Sequence, residues 1–147
     1  MRPWIIALLY SNVIFAVECN MTFVKTPCWQ NYTVMLKLID ESNDKEVTSA
    51  TLAPNNLWQR TTFECQPGQH FRVRAKYTPA IWEGDADKVF MGKSIIALPA
   101  VAPPAKSIWA IHACFANDFK NVSNPLSENT DCDCSQIKIP PVKNPAS

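Results

Sequence analysis

The sequence predicts an all-β fold, an antiparallel β-sandwich held together by disulfides, and three observations support this prediction. Short runs rich in β-branched and aromatic residues recur along the chain. No amphipathic helix of convincing length interrupts them. Six cysteines, an even number, are also present, as is common in exported domains that form disulfides in an oxidising compartment.

The clearest predicted strand is Phe71 to Thr78, where apolar and polar side chains alternate with a period of two. The polar stretch Glu41 to Lys45 predicts a hairpin turn. The other strand-like runs are Tyr32 to Asp40, Glu46 to Leu52, Trp58 to Cys65, Val89 to Leu98 and Ile108 to Phe115. Strands at this spacing, six or seven in all, are typical of immunoglobulin-like and transthyretin-like sandwiches, and no residue of the chain distinguishes the two.

The first residues of the chain have the order of a signal peptide. Arg2 precedes an apolar segment that ends at Ala16, a small residue suited to a cleavage site. We expect cleavage after Ala16, which makes residues 1–16 the signal peptide, 17–139 a single β-sandwich domain and 140–147 a flexible C-terminal tail. An uncleaved anchor is the weaker alternative, because the apolar run is shorter than the roughly 20 residues of a spanning helix. The mature chain is thus expected to be secreted or periplasmic, without a membrane span.

The cysteines predict three disulfides, because all six follow the expected cleavage point: Cys19, Cys28, Cys65, Cys114, Cys132 and Cys134. A bond between Cys132 and Cys134 would be strained, so each is expected to pair with a distant cysteine. The preferred pairing joins Cys65 to Cys114, since both lie in strand-like runs, and leaves Cys19 and Cys28 for the C-terminal pair. The alternative is a zinc site with Asp131 and Asp133, but the cysteines are too scattered for a zinc knuckle.

The charge balance gives no reason to expect nucleic acid as a partner. The chain has 14 Lys and Arg against 13 Asp and Glu. Removal of Arg2 with the signal peptide makes the mature chain nearly neutral. The sequence also has no basic amphipathic helix or polybasic run that would hold it at a membrane surface.

The inventory of catalytic groups is small. No G-x-S-x-G or H-E-x-x-H motif occurs, and the three glycines do not form a phosphate-binding loop. His112 is in phase with Cys114 in a predicted strand, so it faces the core or lies near a disulfide, and a structural role is favoured over that of a general base. His70, beside a turn, is expected to be solvated. We therefore predict no catalytic residues, no metal site and no cofactor.

The segment 79–88 is predicted to be a loop between two strands. It carries one large aromatic residue and three acids, namely Trp82, Glu83, Asp85 and Asp87. Binding residues concentrate on the loops of rigid sandwiches, and tryptophan is enriched at interface hot spots. The alternative is that Trp82 folds back onto the sandwich while the acids are solvated. Asp85 and Asp87 could be considered as calcium ligands, as could the alternate oxygens between Asp40 and Glu46. Neither segment has the ligand spacing of an EF-hand loop.

A second candidate binding surface is one face of the predicted strand 71–78. It carries Arg72, Arg74 and Lys76, joined by Arg60 if the strand of Arg60 is a neighbour. Three cations on one face suit an acidic protein or an anionic glycan. A solvated face is the alternative.

Three N-glycosylation sequons are present, at Asn20, Asn31 and Asn121. They predict a glycoprotein if the host glycosylates its exported proteins. A bacterial periplasmic protein fits the sequence equally well.

Together these features predict an exported, non-enzymatic binding or accessory module that acts through protein–protein contacts. One alternative is a structural subunit of a bacterial cell-envelope or secretion assembly, in which the sandwich contributes edge strands. The other is a secreted hydrolase or hydrolase inhibitor. The expected partner is another protein, and no feature of the sequence fixes the oligomeric state.

Overall fold

The computed structural model describes residues 17–101, 107–125 and 132–142. The predicted signal peptide, residues 1–16, lies outside the described residues, as do residues 143–147 of the predicted tail. Within the described ranges, no helix is long and apolar enough to cross a membrane.

The described chain is an all-β sandwich of two sheets, as predicted. Its strands are β1 (Val17–Lys25), β2 (Thr33–Asp40), β3 (Lys45–Leu52), β4 (Trp58–Cys65), β5 (His70–Thr78), β6 (Phe90–Met91), β7 (Ile96–Ala97) and β8 (Trp109–Phe115). The larger sheet has the order β3-β2-β5-β6, and β7 also pairs with β5. The smaller sheet has the order β4-β1-β8. A short 3₁₀ helix, Pro27–Trp29, follows β1.

Two features of the strand arrangement differ from the prediction. β1 was not predicted as a strand, yet it is the centre of the smaller sheet and pairs in parallel with β8. The predicted strand Val89 to Leu98 is wrong as a single element, because only β6 and β7 within it are strands. Between them the chain leaves the sheet: the Gly92 amide donates to the Val73 carbonyl (2.8 Å), but the next amide, of Lys93, donates to Asp118 (2.7 Å).

The core lies between the two sheets, and β5 supplies it as the alternation predicted. Its inward side chains, Phe71, Val73, Ala75 and Tyr77, are at most 4% exposed. Trp29 is fully buried, and its ring packs edge-on against the rings of Tyr32, Tyr77 and Phe115. Edge-to-face contacts of this kind stabilise aromatic clusters beyond the area they bury. The cluster fixes the end of β5 from which the next loop departs.

A buried lysine joins the two sheets beside this cluster. The Lys25 side chain is fully buried at the end of β1. Its ammonium group donates to the carbonyl oxygens of Tyr32 (2.6 Å), Ala53 (2.8 Å) and Leu52 (3.3 Å). Burial lowers the pKa of Lys25 to about 8. Lys25 therefore gives a hydrogen-bond donor to carbonyl groups just before β2 and at the end of β3.

Three disulfides connect the six cysteines; the preferred pairing was right in giving Cys28 a partner in the C-terminal pair, but wrong in joining Cys65 to Cys114 and in giving Cys19 a C-terminal partner. Cys65 bonds to Cys19, its neighbour across β1 and β4, and therefore does not cross the sandwich to Cys114. The other bonds are Cys28–Cys132 and Cys114–Cys134. The Cα atoms of the pairs are 5.9, 5.3 and 6.1 Å apart, within the usual range. The expectation that both cysteines of the C-x-C pair bond to distant partners is confirmed.

These two C-terminal disulfides hold a strap, residues 132–142, across the outer face of the smaller sheet. Asn20, Thr22 and Val24 point away from the core in β1 yet are at most 6% exposed. Arg60, which pairs with Thr22 across the sheet, donates from Nη2 to the Pro140 carbonyl (2.7 Å) and from Nε to Thr22 Oγ1 (3.0 Å). β1 is therefore buried on both faces from Cys19 onward, although its sequence alternates, with Val17, Cys19, Met21 and Phe23 in the core and Asn20 and Thr22 beneath the strap.

Candidate binding surface

The loop between β5 and β6, residues 79–89, is held to the sandwich by one of its own acids. The Tyr77 hydroxyl donates to Asp85 Oδ2. The Asp85 amide donates to the Trp82 carbonyl (3.2 Å), and the Lys88 amide donates to the Asp85 carbonyl (3.1 Å). Burial, and then the hydrogen bond to Asp85, raise the pKa of Tyr77 to about 12. We call this segment the Trp82 loop; Asp85, predicted as a binding residue, anchors it, with its side chain 13% exposed.

The indole of Trp82 is 40% exposed, so it does not plug the end of the sandwich completely. Val89, at the end of the same loop, is 48% exposed. Both are large apolar side chains that remain in contact with water on one short segment. Glu83 and Asp87 of the loop are also exposed.

The two predicted surfaces meet at an ion pair. Lys76 Nζ on β5 lies 3.6 Å from Asp87 Oδ1 in the Trp82 loop. Arg72, Arg74 and Lys76 all point outward from β5, as the alternation predicted. Each of these cations forms an ion pair with a nearby acid. The Arg72 guanidinium binds Glu41, and that of Arg74 binds Asp44. Arg60 does not join this face, because β4 belongs to the smaller sheet.

An open groove of about 550 Å³ runs along this outer face beside the Trp82 loop. It is lined by Met35, Lys37, Arg74, Ala75, Lys76, Val89 and Met91. Lys37 and Arg74 lie directly opposite each other across β2 and β5. Among the described acids, none lies within ion-pair distance of Lys37. The groove therefore combines an apolar floor with a cationic rim, and we call it the outer groove.

Trp82 itself lines a smaller hollow of about 200 Å³, separate from the outer groove. It is lined by Tyr77, Trp82, Asp85, Lys88, Phe90, Asn121, Val122 and Ser123. The sequon at Asn121 thus borders the Trp82 loop, although the two are distant in sequence. Asn121 and Asn31 are exposed, whereas Asn20 is 5% exposed beneath the strap. In the folded chain, Asn20 is closed to an attached glycan.

The remaining candidate groups do not form a reactive cluster. His112 is exposed on β8, so the alternative in which it faces the core is wrong. It points to the same side of the strand as Cys114, whose disulfide lies nearby. His70 is exposed, as expected. The described His, Cys, Asp and Glu residues form no group of three or more that could hold a metal ion.

Asp40, considered above as a calcium ligand, organises the turn between β2 and β3. Its Oδ1 accepts from the amide (2.8 Å) and hydroxyl (2.7 Å) of Ser42, and its Oδ2 accepts from Gln69 Nε2 (2.7 Å). Hydrogen bonds from Ser42, and then from Gln69, hold the pKa of Asp40 below its usual value.

Comparison with protein-family models, with curated proteins and with solved structures found no match to this chain.

Proposed function

We propose that this chain is an exported, non-enzymatic binding module that contacts another protein through the Trp82 loop and the outer groove. The observation that supports this most strongly is the pair of exposed apolar side chains on one anchored loop, Trp82 at 40% and Val89 at 48% exposure. Rigid aromatic residues beside apolar pockets are the usual centre of protein interfaces. The hydrogen bond from Tyr77 to Asp85 preorganises the loop, which reduces the entropy lost on binding.

The chemistry of the outer groove favours a partner segment that carries apolar side chains flanked by acids. Met35, Val89 and Met91 offer the apolar contact, and Lys37 offers a cation without an acid partner among the described residues. The existing ion pairs of Arg74 and Lys76 are exposed, so an incoming carboxylate can replace their acids at small cost. Association with such a partner should therefore weaken as salt is added.

Export is supported by the disulfides. All six cysteines are bonded, which is typical of proteins that mature in an oxidising compartment. The signal-peptide order of residues 1–16 points to the same route. In a host that glycosylates, Asn31 and Asn121 are the acceptors that the fold leaves accessible.

The proposal is tested by affinity capture from the secreted or envelope fraction of the source cells, with Trp82→Ala, Val89→Ser and Lys37→Glu as variants. We expect the same captured protein to be lost, or to bind at least tenfold more weakly, with each variant. Val101→Ser is the matched control, because Val101 is 79% exposed but lies outside the Trp82 loop and the outer groove. A partner that all three variants retain would refute this surface assignment.

A further inference from the structure

β8 is at the edge of the smaller sheet. The hydrogen bonds at its C-terminal end show which of its backbone groups point toward β1 and which point away. The Phe115 carbonyl accepts from the Thr26 amide (2.7 Å), so the backbone of Phe115 faces β1. The Cys114 amide donates to Asp118 Oδ2 (2.6 Å), and its carbonyl accepts from the Asp118 amide (2.9 Å), so Cys114 faces the other way. Because neighbouring residues alternate along a strand, the backbone groups of Ala110 and His112 also point away from β1.

In the part of the chain that the structure describes, β8 itself carries none of the sequence features that usually protect an edge strand, although residues 92–94 and Ile96 line a small hollow with His112 and Ala113. The amide and carbonyl groups of Ala110 and His112 have no hydrogen-bond partner among the described residues. β8, Trp109–Phe115, contains no lysine, acid or proline, and its register with β1 is uninterrupted by a bulge. Exported proteins normally cover, charge or bend such an edge, since it is a template for another strand.

We propose that the edge is covered by a second copy of this chain, with β8 pairing antiparallel to β8 around a two-fold axis at Ile111. In that register Ala110 of each copy lies opposite His112 of the other. Ala110 and His112 are the residues whose backbone groups point outward. The two Ala110–His112 pairs therefore give hydrogen-bond partners to both amides and both carbonyls on each edge. The two smaller sheets then form one continuous sheet, and the contact closes at two copies.

The limits of the edge favour a second copy over an unrelated strand. Asp118 occupies the outward groups of Cys114 and so ends the open edge at Ala113. Pairing about Ile111 therefore uses only outward groups that Asp118 leaves open, whereas a two-fold axis at His112 would need the occupied groups of Cys114. Trp109, which is half-buried at the core side, would then lie opposite Ala113 of the second copy. A large side chain meets a small one at both ends of the pairing.

The experiment combines sedimentation with amide hydrogen exchange on the full mature chain between about 10 µM and about 1 mM. We expect a reversible monomer–dimer equilibrium in which exchange at Ala110 and His112 slows at least tenfold as the dimer fills. Exchange at Ile111, bonded to β1, and at Cys114, bonded to Asp118, should not depend on concentration. A chain that stays monomeric at 1 mM, or a dimer whose Ala110 and His112 amides exchange as fast as in the monomer, would overturn the proposal.

Ala110→Pro is the matching variant, because it removes an outward donor without removing a hydrogen bond to β1. We expect it to remain monomeric at every concentration with its three disulfides intact by mass. Trp82→Ala is the control and should dimerise like the parent, since the Trp82 loop belongs to the other sheet. A dimer of folded Ala110→Pro would also refute the pairing. If that variant does not fold, the exchange pattern of the unmodified chain decides the question.

Discussion

Lys76 and Asp87 join the strand face and the loop that the sequence marked separately, with Nζ and Oδ1 3.6 Å apart. The side chains are 38% and 97% exposed, so the pair contributes little to folding stability. Its significance is geometric, because it shows that the Trp82 loop lies beside Lys76, which lines the outer groove. The loop position itself depends on a less exposed contact, the hydrogen bond from Tyr77 to Asp85.

Replacement of Tyr77 by phenylalanine should loosen the Trp82 loop. The variant removes the donor to Asp85, whose side chain is only 13% exposed, and should lower the free energy of unfolding by about 1–2 kcal/mol. Amide exchange at Asp85 and Lys88 should become faster, because those amides bond within the loop. Tyr32→Phe is the control, since no described residue bonds to that hydroxyl. Equal stability and equal exchange in the two variants would contradict the anchoring role of Tyr77.

Lys25→Met should destabilise the fold although methionine has a similar volume and is apolar. The substitution leaves the carbonyls of Tyr32, Leu52 and Ala53 without the donors that Lys25 supplies. Unsatisfied buried carbonyls cost about 1–3 kcal/mol each before relaxation or water entry, so we expect a net loss of roughly 2 kcal/mol at pH 7. Urea denaturation measures it. Lys37→Met, on the exposed outer groove, is the matched control and should change stability by less than about 0.5 kcal/mol.

The same lysine should make stability depend on alkaline pH. Its pKa is lowered from 10.5 to about 8, so between these values the unfolded chain binds more protons than the folded chain. The free energy of unfolding should therefore rise with pH in this window, by roughly 2 kcal/mol between about pH 8 and about pH 9.5. The raised pKa of Tyr77 opposes this rise only as the pH approaches 10, where the tyrosine of the unfolded chain ionises, and the effect is small below about pH 9.5. Lys25→Met should lack the rise, and a variant that retains it would assign the dependence to another group.

Much of the sandwich could be predicted because its larger sheet follows simple alternation. β5 shows this most clearly, with one face in the core and the other in water. β1 carries the same alternation, since Val17, Cys19, Met21 and Phe23 face the core, and the strand was nevertheless not predicted. What its sequence does not reveal is the burial of Asn20 and Thr22, because that depends on the C-terminal strap. The parallel pairing of β1 with β8 is likewise a property of the whole topology, which no local pattern encodes.

Contacts between distant segments of the candidate site could not be predicted from the sequence. Of the two positions considered for Trp82, exposed or folded back onto the sandwich, the structure has the side chain 40% exposed, and its role in binding stays a prediction. Glu41 and Asp44 neutralise Arg72 and Arg74, and they lie in a turn about 30 residues earlier in the chain. The sequence of that turn predicted a hairpin but not these ion pairs. The Cys19–Cys65 bond was missed because β1, which carries Cys19, was not recognised as the neighbour of β4.

The glycosylation pattern should distinguish the three sequons. When the chain is expressed through the secretory route of a glycosylating host, the folded protein should carry glycans at Asn31 and Asn121 but none at Asn20. Asn20 lies in the central strand of the smaller sheet, 5% exposed, and Thr22 of its sequon accepts a hydrogen bond from Arg60. Peptide mapping by mass spectrometry after enzymatic deglycosylation in heavy-oxygen water reports each site. Asn20→Gln should leave the glycan content unchanged, and a glycan at Asn20 in folded protein would contradict the buried position of this strand.

The two disulfides of the strap should contribute different amounts to the free energy of unfolding. Cys28–Cys132 closes a segment of 104 residues and Cys114–Cys134 one of 20. Because a disulfide stabilises chiefly by restricting the unfolded chain, the double alanine variant of the first pair should lose about 4–5 kcal/mol and that of the second about 3 kcal/mol. Denaturant titration of both variants, with the Cys19–Cys65 pair as reference, measures the order. If removal of Cys114–Cys134 is the more damaging, that bond acts through the folded state, by fixing the strap over Val24 and the end of β8.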